Sequence, residues 1–141
     1  TAAFESMIEK NELLEHAIVY GQHKGIPKQQ VQEAMASGSD VIMRVDVQGA
    51  STVRRLVPEA VSIFLTTSSE KELEQRLQRR DSDSPEQLKA RIRTAREEME
   101  CLPEFDYVVV NREGELDKAA DDVMAIVQAE HCRVNPRVVK L

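Results

Sequence analysis

The sequence predicts an α/β domain in which a parallel sheet is flanked by helices. Short apolar runs rich in β-branched residues recur at 41–45, 60–66 and 106–110, as is typical of strands buried on both faces. Helical patterns separate these runs along the chain. Strands that alternate with helices indicate βαβ units, in which successive strands lie parallel.

The first part of the chain is expected to contribute a helix over 2–10, followed by a strand over 12–20. The β-branched and aromatic residues of 12–20 favour a strand, although a helix is compatible with the imperfect alternation. Residues 21–26 lie between two glycines and are expected to form a loop. Pro27 then begins a helix that ends at Gly38.

The stretch from Asp40 to Ala50 is expected to begin with a strand buried on both faces, which ends at Asp46. A carboxylate at the carboxyl end of such a strand lies where open α/β sheets bind their ligands. Asp46 is therefore the first candidate functional residue. Its other interpretation is a cap for the helix predicted over 49–57.

The second half continues the alternation and contains a pair of helices with a polar break between them. Ser69 and Ser84 each stand where a helix N-cap is expected, and residues 81–84 separate the two helices. A helix pair with this short polar hinge can act as a lid over a site. We expect helices from Ser69 to the break, over 84–101 and after Gly114, strands over 60–66 and 106–110, and no pattern in 133–141.

Charge is distributed unevenly along the chain. The formal net charge is −6, which disfavours a general role in nucleic-acid binding. The window 76–96 nevertheless holds seven basic and three acidic residues, so it carries +4 and the rest carries −10. A basic patch on an acidic protein suits a small polyanion, although solvated helix faces also carry such charge. No apolar run approaches the length of a membrane span.

Seven strings, in order along the chain, resemble the guanylate kinase family. They are ELLEHAIVYG, GIP, VDVQGA, IFL, ELEQRLQRR, AREEME and FDYVVVN, and they cover nearly the whole sequence. The segment YGQHKGIPKQQ is most similar to the plant and organellar branch of the family. The resemblance implies a P-loop NTPase-like parallel sheet with a helical lid at about 76–101, incomplete at the N-terminus.

The resemblance also implies roles for single residues. Glu15 matches the carboxylate that reads the guanine edge, and Asp46 matches the aspartate near the GMP base and the metal. Arg80 and Arg91 match the catalytic lid arginines that clamp the transferring phosphoryl group. The remaining candidates are Lys24, Gly25, Gln48 and Gly49 for GMP, and Arg76, Asn111 and Arg112 for ATP. No residue is assigned as a metal ligand, and Mg²⁺ is expected to enter with ATP.

The sequence departs from the family pattern in several places. No G-x-x-x-x-G-K-[ST] motif occurs in the 141 residues, so the loop that cradles ATP phosphates is not among them. Lys24 stands where the family commonly has a phosphate-binding tyrosine, and Arg44 where many members have a second acid. The family places its P-loop strand between the strands that match 40–46 and 60–66. We therefore expect residues 1–141 to be the C-terminal part of a longer kinase.

The expected function is ATP-dependent phosphorylation of GMP to GDP, with the 141-residue chain inactive by itself. The alternative is a non-catalytic guanylate-kinase-like module that binds a nucleotide or a phosphorylated partner. GMP and ATP are the expected substrates, a missing segment or complementing chain is a possible partner, and neither nucleic acid nor membrane is expected. The implied compartment is intracellular, in the cytoplasm, a plastid or a mitochondrion. The implied subdivision is 1–39 for GMP, 40–132 for the core with the lid, and 133–141 for the tail.

Overall fold

The computed structural model describes residues 2–19, 21–79 and 84–141. Contacts divide the chain into two compact units, Thr1–Ala60 with Val138–Leu141, and Val61–Arg137. The subdivision at residues 39 and 132 that the resemblance implies stays a prediction. None of the helices in the described ranges is both long and apolar enough to cross a membrane.

The first unit begins with a helix and an antiparallel hairpin. Helix α1 spans Ala2–Glu9, strand β1 spans Leu13–Val19 and strand β2 spans Gln22–Pro27. The helix and the first strand confirm the sequence predictions, but the prediction of a loop over 21–26 is wrong. The two strands pair in the register Ile18 with His23. Gly21 adopts a φ of +74°, which glycine takes without strain in a tight turn, so it marks a turn and not the start of a longer loop.

Two helices complete the first unit and close its core. Helix α2 spans Lys28–Ala36, with Pro27 at its N-cap, and helix α3 spans Val47–Leu56. Side chains from β1, α2 and α3 form the buried cluster Leu14, Val31, Val53 and Val57, against which Ile26, Met35, Val41, Met43, Ala60 and Val139 pack. The absence of large aromatic residues from this cluster agrees with a core built from aliphatic side chains.

The prediction of a strand over 41–45 is wrong in the structure as described. Val41 and Met43 pack against the core, whereas Ile42 is 71% exposed, so the run is not buried on both faces. A strand is held by ladder hydrogen bonds from a neighbour. The described sheets pair only β1 with β2, and one further pair in the second unit. The run 41–45 is apolar, but an apolar pattern does not by itself provide the neighbouring strand that ladder hydrogen bonds require.

The second unit contains the parallel pairing that the alternation predicts. Strand β3 spans Ile63–Thr66 and strand β4 spans Tyr107–Val110, and they pair in parallel with Phe64 opposite Val108. Phe64 and Val109 are buried. The connecting and final elements are helix α4 at Glu70–Gln78, helix α5 at Pro85–Glu100, a short 3₁₀ helix at Leu102–Glu104 and helix α6 at Leu116–His131.

Capping explains where the helix pair of this unit begins. The Ser84 hydroxyl accepts from the backbone N–H of Gln87, whose side-chain oxygen accepts from the Ser84 N–H, so Ser84 is the expected N-cap and forms a reciprocal capping box. Ser69 accepts from the N–H of Glu72 at the start of α4. The Glu72 carboxylate turns to the backbone and hydroxyl of Ser68 instead, so this box is not reciprocal.

Candidate functional site

In the first unit, the candidate site lies where the first turn of α3 meets strand β1. Glu15 lies on β1 and is only 5% exposed, which is rare for a carboxylate. Gly49 lies in the first turn of α3 and is also buried. A Cβ atom at Gly49 would lie 2.7 Å from Glu15 Oε1, so the carboxylate touches the backbone of the helix. The structure therefore brings together two residues that are 34 positions apart in the sequence.

Asp46 caps this helix. Its Oδ1 atom accepts a hydrogen bond of 2.8 Å from the Gly49 N–H, and its carbonyl accepts from the Ala50 N–H at 2.8 Å. The capping interpretation is thus confirmed. Capping does not compete with the family role of Asp46, because Oδ2 remains for another donor or ion. That role stays a prediction.

Burial has an electrostatic consequence for Glu15. It raises the pKa of the carboxyl above its ordinary value of 4.5, the negative charge of Asp46 raises this pKa further, and His16 opposes the shift. Two carboxylates therefore lie near Gly49 in the first turn of α3, at the positive end of this helix. A ligand that donates hydrogen bonds to Glu15 would relieve this repulsion and favour its ionised form.

The remaining candidates of the first unit differ in exposure. Lys24 is exposed on β2 and pairs in register with Ala17, so its ammonium group is accessible to an anion. Gly25 is half-buried, and a Cβ atom there would lie 3.1 Å from the Glu15 carbonyl oxygen. Gln48 is exposed in the first turn of α3. The GMP-binding roles of these three residues stay predictions.

In the second unit, Arg76 and Asn111 form a separate candidate site. Arg76 Nη2 donates to the Asn111 carbonyl at 2.7 Å and also pairs with Glu72 one turn earlier on α4. Its Nε donates to Glu113 Oε2 at 3.2 Å. The pKa of Glu72 lies below 4.5, mainly because its carboxylate accepts a hydrogen bond from Ser68. The nearby charge of Arg76 lowers this pKa by a smaller amount. Glu72 thus stays ionised as the partner of Arg76.

A cavity of about 190 Å³ opens beside this arginine. Its lining combines apolar side chains with a few polar groups, but its volume is below the roughly 300–1,000 Å³ of most small-molecule sites. The lining includes Thr66, Thr67, Leu73, Arg76, Met99 and Asn111. The ATP-binding roles of Arg76 and Asn111 are compatible with this geometry and stay predictions.

The remaining arginine candidates of the second unit differ in exposure. Arg91 is half-buried on α5 and Arg112 is exposed, with its Nε 3.7 Å from Glu115 Oε2. Arg80 lies outside the described residues.

Among the residues that the structure describes, no group of three or more His, Cys, Asp or Glu could hold a metal ion by itself. An ion carried in by a phosphate ligand needs only one or two protein carboxylates.

Sequence reasoning missed Glu113, which links two arginines. Its Oε1 accepts from Arg79 at 2.8 Å while Oε2 accepts from Arg76. Glu113 is 37 positions from Arg76, so no local spacing could reveal this contact. The i,i+4 spacing of Glu72 and Arg76 could have predicted their ion pair.

Comparisons with known proteins give one consistent family. The profile of guanylate kinase matches residues 1–130. A rice protein named guanylate kinase 2, chloroplastic/mitochondrial, is 48% identical over 139 residues, which are 98% of this chain and 49% of the relative. A guanylate kinase of Halalkalibacterium halodurans is 47% identical over 130 residues, covering 92% of this chain and 63% of the relative.

Solved structures agree with this result. The crystal structure of guanylate kinase from Anaplasma phagocytophilum matches with a TM-score of 0.77 at 28% identity. The match covers 94% of this chain and 63% of that protein. The predicted fold class is thereby confirmed, and the chain spans between about half and two thirds of the length of the relatives it matches.

Proposed function

The chain belongs to the guanylate kinase family, and we propose that the protein transfers the terminal phosphoryl group of ATP to GMP, giving ADP and GDP. The observation that carries this proposal is the buried Glu15 carboxylate at the first turn of α3. Guanine presents its N1–H and 2-amino groups side by side. A buried carboxylate can accept from both, and it rejects bases that lack these donors.

The other residues of the first unit support the nucleotide around this contact. Lys24 supplies a point charge for the GMP phosphate, and the missing side chain of Gly25 lets β2 pack closely against β1 next to it. Gln48 and Gly49 complete the turn that Asp46 caps. Mg²⁺ entering with ATP would neutralise charge on the phosphates, and Asp46, whose Oδ1 caps α3, would offer its second carboxylate oxygen to help hold it.

In the second unit, arginine side chains supply the charge that phosphoryl transfer needs. We assign Arg80 and Arg91 to the transferring group, because guanidinium forks match phosphate oxygens and stabilise negative charge in the transition state. Arg76, Asn111 and Arg112 are assigned to ATP. Transfer is in line between the two nucleotides, with no covalent intermediate on the protein.

The test is a coupled assay of ADP formation by the full-length protein with ATP, Mg²⁺ and each of GMP, AMP, CMP and UMP. Turnover that requires GMP is expected, together with a loss of at least about 100-fold in kcat/KM for GMP in Glu15→Gln. Glu12→Gln, at an exposed position just before the same strand, is the matched control and should retain activity. Equal turnover of the four nucleotides would contradict the proposal.

A polypeptide restricted to residues 1–141 is proposed to be inactive, because it contains no G-x-x-x-x-G-K-[ST] motif. The coupled assay on that polypeptide tests this directly, and GMP-dependent turnover would refute it.

The same lack of a motif supports the second candidate, a non-catalytic module that binds a nucleotide or a phosphorylated partner. Competition between GMP and a phosphopeptide for the full-length protein separates the two functions.

We propose an intracellular location, in the cytoplasm or in an organelle. The 48% identity with a rice protein named chloroplastic/mitochondrial supports the organelle. A fluorescent tag at the C-terminus of the full-length protein would show which compartment is correct.

A further inference from the structure

Gly49 occupies a helical position where a glycine is not needed for the backbone. It lies in the first turn of α3, while the positive-φ glycines are Gly21, Gly38 and Gly114. A glycine inside a helix is less favourable than alanine, because more backbone entropy is lost on folding. The presence of glycine at position 49 therefore requires an explanation from packing.

The space around Gly49 provides that explanation. A Cβ atom would lie 2.7 Å from Glu15 Oε1, 2.9 Å from Glu15 Cδ and 3.0 Å from Val45 Cβ. These separations are shorter than van der Waals contact between such atoms. The closest two atoms belong to the carboxylate itself, so the missing side chain is what allows Glu15 to lie against the helix.

We propose that Gly49 is a specificity-determining positioning residue, whose missing side chain sets where the Glu15 carboxylate stands. This inference rests on the proposed function, in which Glu15 receives the guanine edge. Gly49 acts through Glu15 and need not touch the nucleotide. With a methyl group at position 49, the carboxylate is displaced, because Glu15 is enclosed on strand β1 and its tip is the part that can move.

Displacement of the carboxylate has a specific chemical consequence. Glu15 can accept from both guanine donors only when its two oxygens face N1–H and the 2-amino group together. IMP carries N1–H and lacks the 2-amino group. The ratio of kcat/KM for GMP to that for IMP therefore reports the position of the carboxylate, and a general loss of folded protein lowers both values equally.

The packing step is tested by thermal unfolding of the full-length protein in a double-mutant cycle. Gly49→Ala should lower Tm in the wild-type background and lower it much less when Glu15→Ala is also present, because the obstructing carboxylate is then gone. An equal loss of Tm in both backgrounds would overturn the inference. If Gly49→Ala alone does not fold, the double variant decides: folding like Glu15→Ala supports the inference, and failure to fold overturns it.

The specificity step is tested with the same protein in the coupled assay. Gly49→Ala should reduce the GMP/IMP ratio by about tenfold, mainly through a higher KM for GMP, since base recognition is made in the ground state as well. Ser51→Ala, an exposed position on the same helix, should leave the ratio unchanged. A wild-type ratio in Gly49→Ala would overturn the inference while GMP phosphorylation stands. If the wild-type protein showed no GMP turnover, the proposed function would be wrong. The thermal-unfolding cycle would still test the packing of Gly49 against Glu15.

Discussion

The carboxylate of Asp46 accepts a 2.8 Å hydrogen bond from the backbone N–H of Gly49. This contact caps the start of α3, and the Glu15 carboxylate lies against the same Gly49 from strand β1. The cap is structural, whereas the family role of Asp46 concerns its charge. Replacing Asp46 with asparagine removes the charge and keeps an acceptor oxygen, whereas alanine removes both. The contributions of capping and of charge can therefore be measured independently.

Asp46→Ala should lower the free energy of unfolding by about 1 kcal/mol, because an N-cap acceptor is lost. Asp46→Asn keeps an acceptor oxygen and should retain most of that stability. Denaturant unfolding of the full-length protein measures both effects, with Ser69→Ala at the start of α4 as a cap of comparable geometry. If Asp46→Asn is stable but slow in GMP phosphorylation, the charge has a role beyond capping. Equal destabilisation by Asn and Ala would contradict the capping argument.

Glu15 should make stability depend on pH in an unusual direction for a carboxylate. Its pKa is raised in the folded state by burial and by Asp46, so the folded protein holds this proton more tightly than the unfolded chain. The stabilising contribution of protonated Glu15 is present in full below about 4.5 and is lost as pH rises through the raised pKa. Glu15→Gln should therefore be more stable than the wild type at neutral pH, with the difference shrinking towards pH 4.5.

Thermal unfolding of both proteins across this pH range measures the effect. Glu12→Gln is the control, because its side chain is exposed and should show no such convergence. A wild type that is more stable than Glu15→Gln at neutral pH would contradict the sign of the argument.

Tyr107 and Glu130 should give the opposite dependence in the second unit. The Tyr107 hydroxyl donates to Glu130 Oε1 at 2.7 Å, and Arg137 Nε donates to Oε2 at 3.1 Å. The Tyr107 bond is the largest cause that lowers the pKa of Glu130 below 4.5, ahead of Arg137. A lowered pKa stabilises the folded state above 4.5, and that contribution is lost as pH falls through the folded value.

Tyr107→Phe should therefore reduce Tm at neutral pH and reduce it less in acid. Phe105→Leu is the control, because it changes an aromatic residue of the same unit that packs edge-on against Phe64. Thermal unfolding at pH 7 and at about pH 3 provides the measurement. A Tm difference that is constant with pH would show that the hydroxyl does not act through Glu130.

Local signals in the sequence predicted the helices and their starts. Ser84, Pro85 and Gln87 specify a helix N-terminus by themselves, because capping uses only neighbouring residues. The two parallel strands were also predictable, since short β-branched runs separated by helices have few alternatives.

Features that depend on distant partners could not be predicted in this way. The sequence predicts a loop over 21–26, because the pairing that makes β2 a strand comes from the distant residues of β1. It predicts a strand over 41–45, although the described sheets give that run no partner. The approach of Glu15 to Gly49 joins two parts of the chain through tertiary packing. Family resemblance named both residues but gave no reason for the glycine.

Glu113 neutralises two arginines that a phosphate ligand could use. Its two oxygens accept from Arg76 and Arg79, although the carboxylate is 58% exposed. Exposed ion pairs contribute little to stability, so Glu113→Gln should change the free energy of unfolding by less than about 1 kcal/mol. The effect on ligand binding should be larger, because one negative charge beside both guanidinium groups is removed, although Arg76 keeps its pairing with Glu72.

We expect Glu113→Gln to lower KM for ATP in the full-length protein, with the greatest effect at low ionic strength, where charge interactions are least screened. Glu100→Gln, an exposed acid at the end of α5, removes the same charge elsewhere and should leave KM for ATP near the wild-type value. Steady-state kinetics at two salt concentrations measure both. A higher KM in Glu113→Gln would mean that the carboxylate holds Arg76 in place for ATP and does not compete with it, and an unchanged KM would place the ATP phosphates away from Arg76.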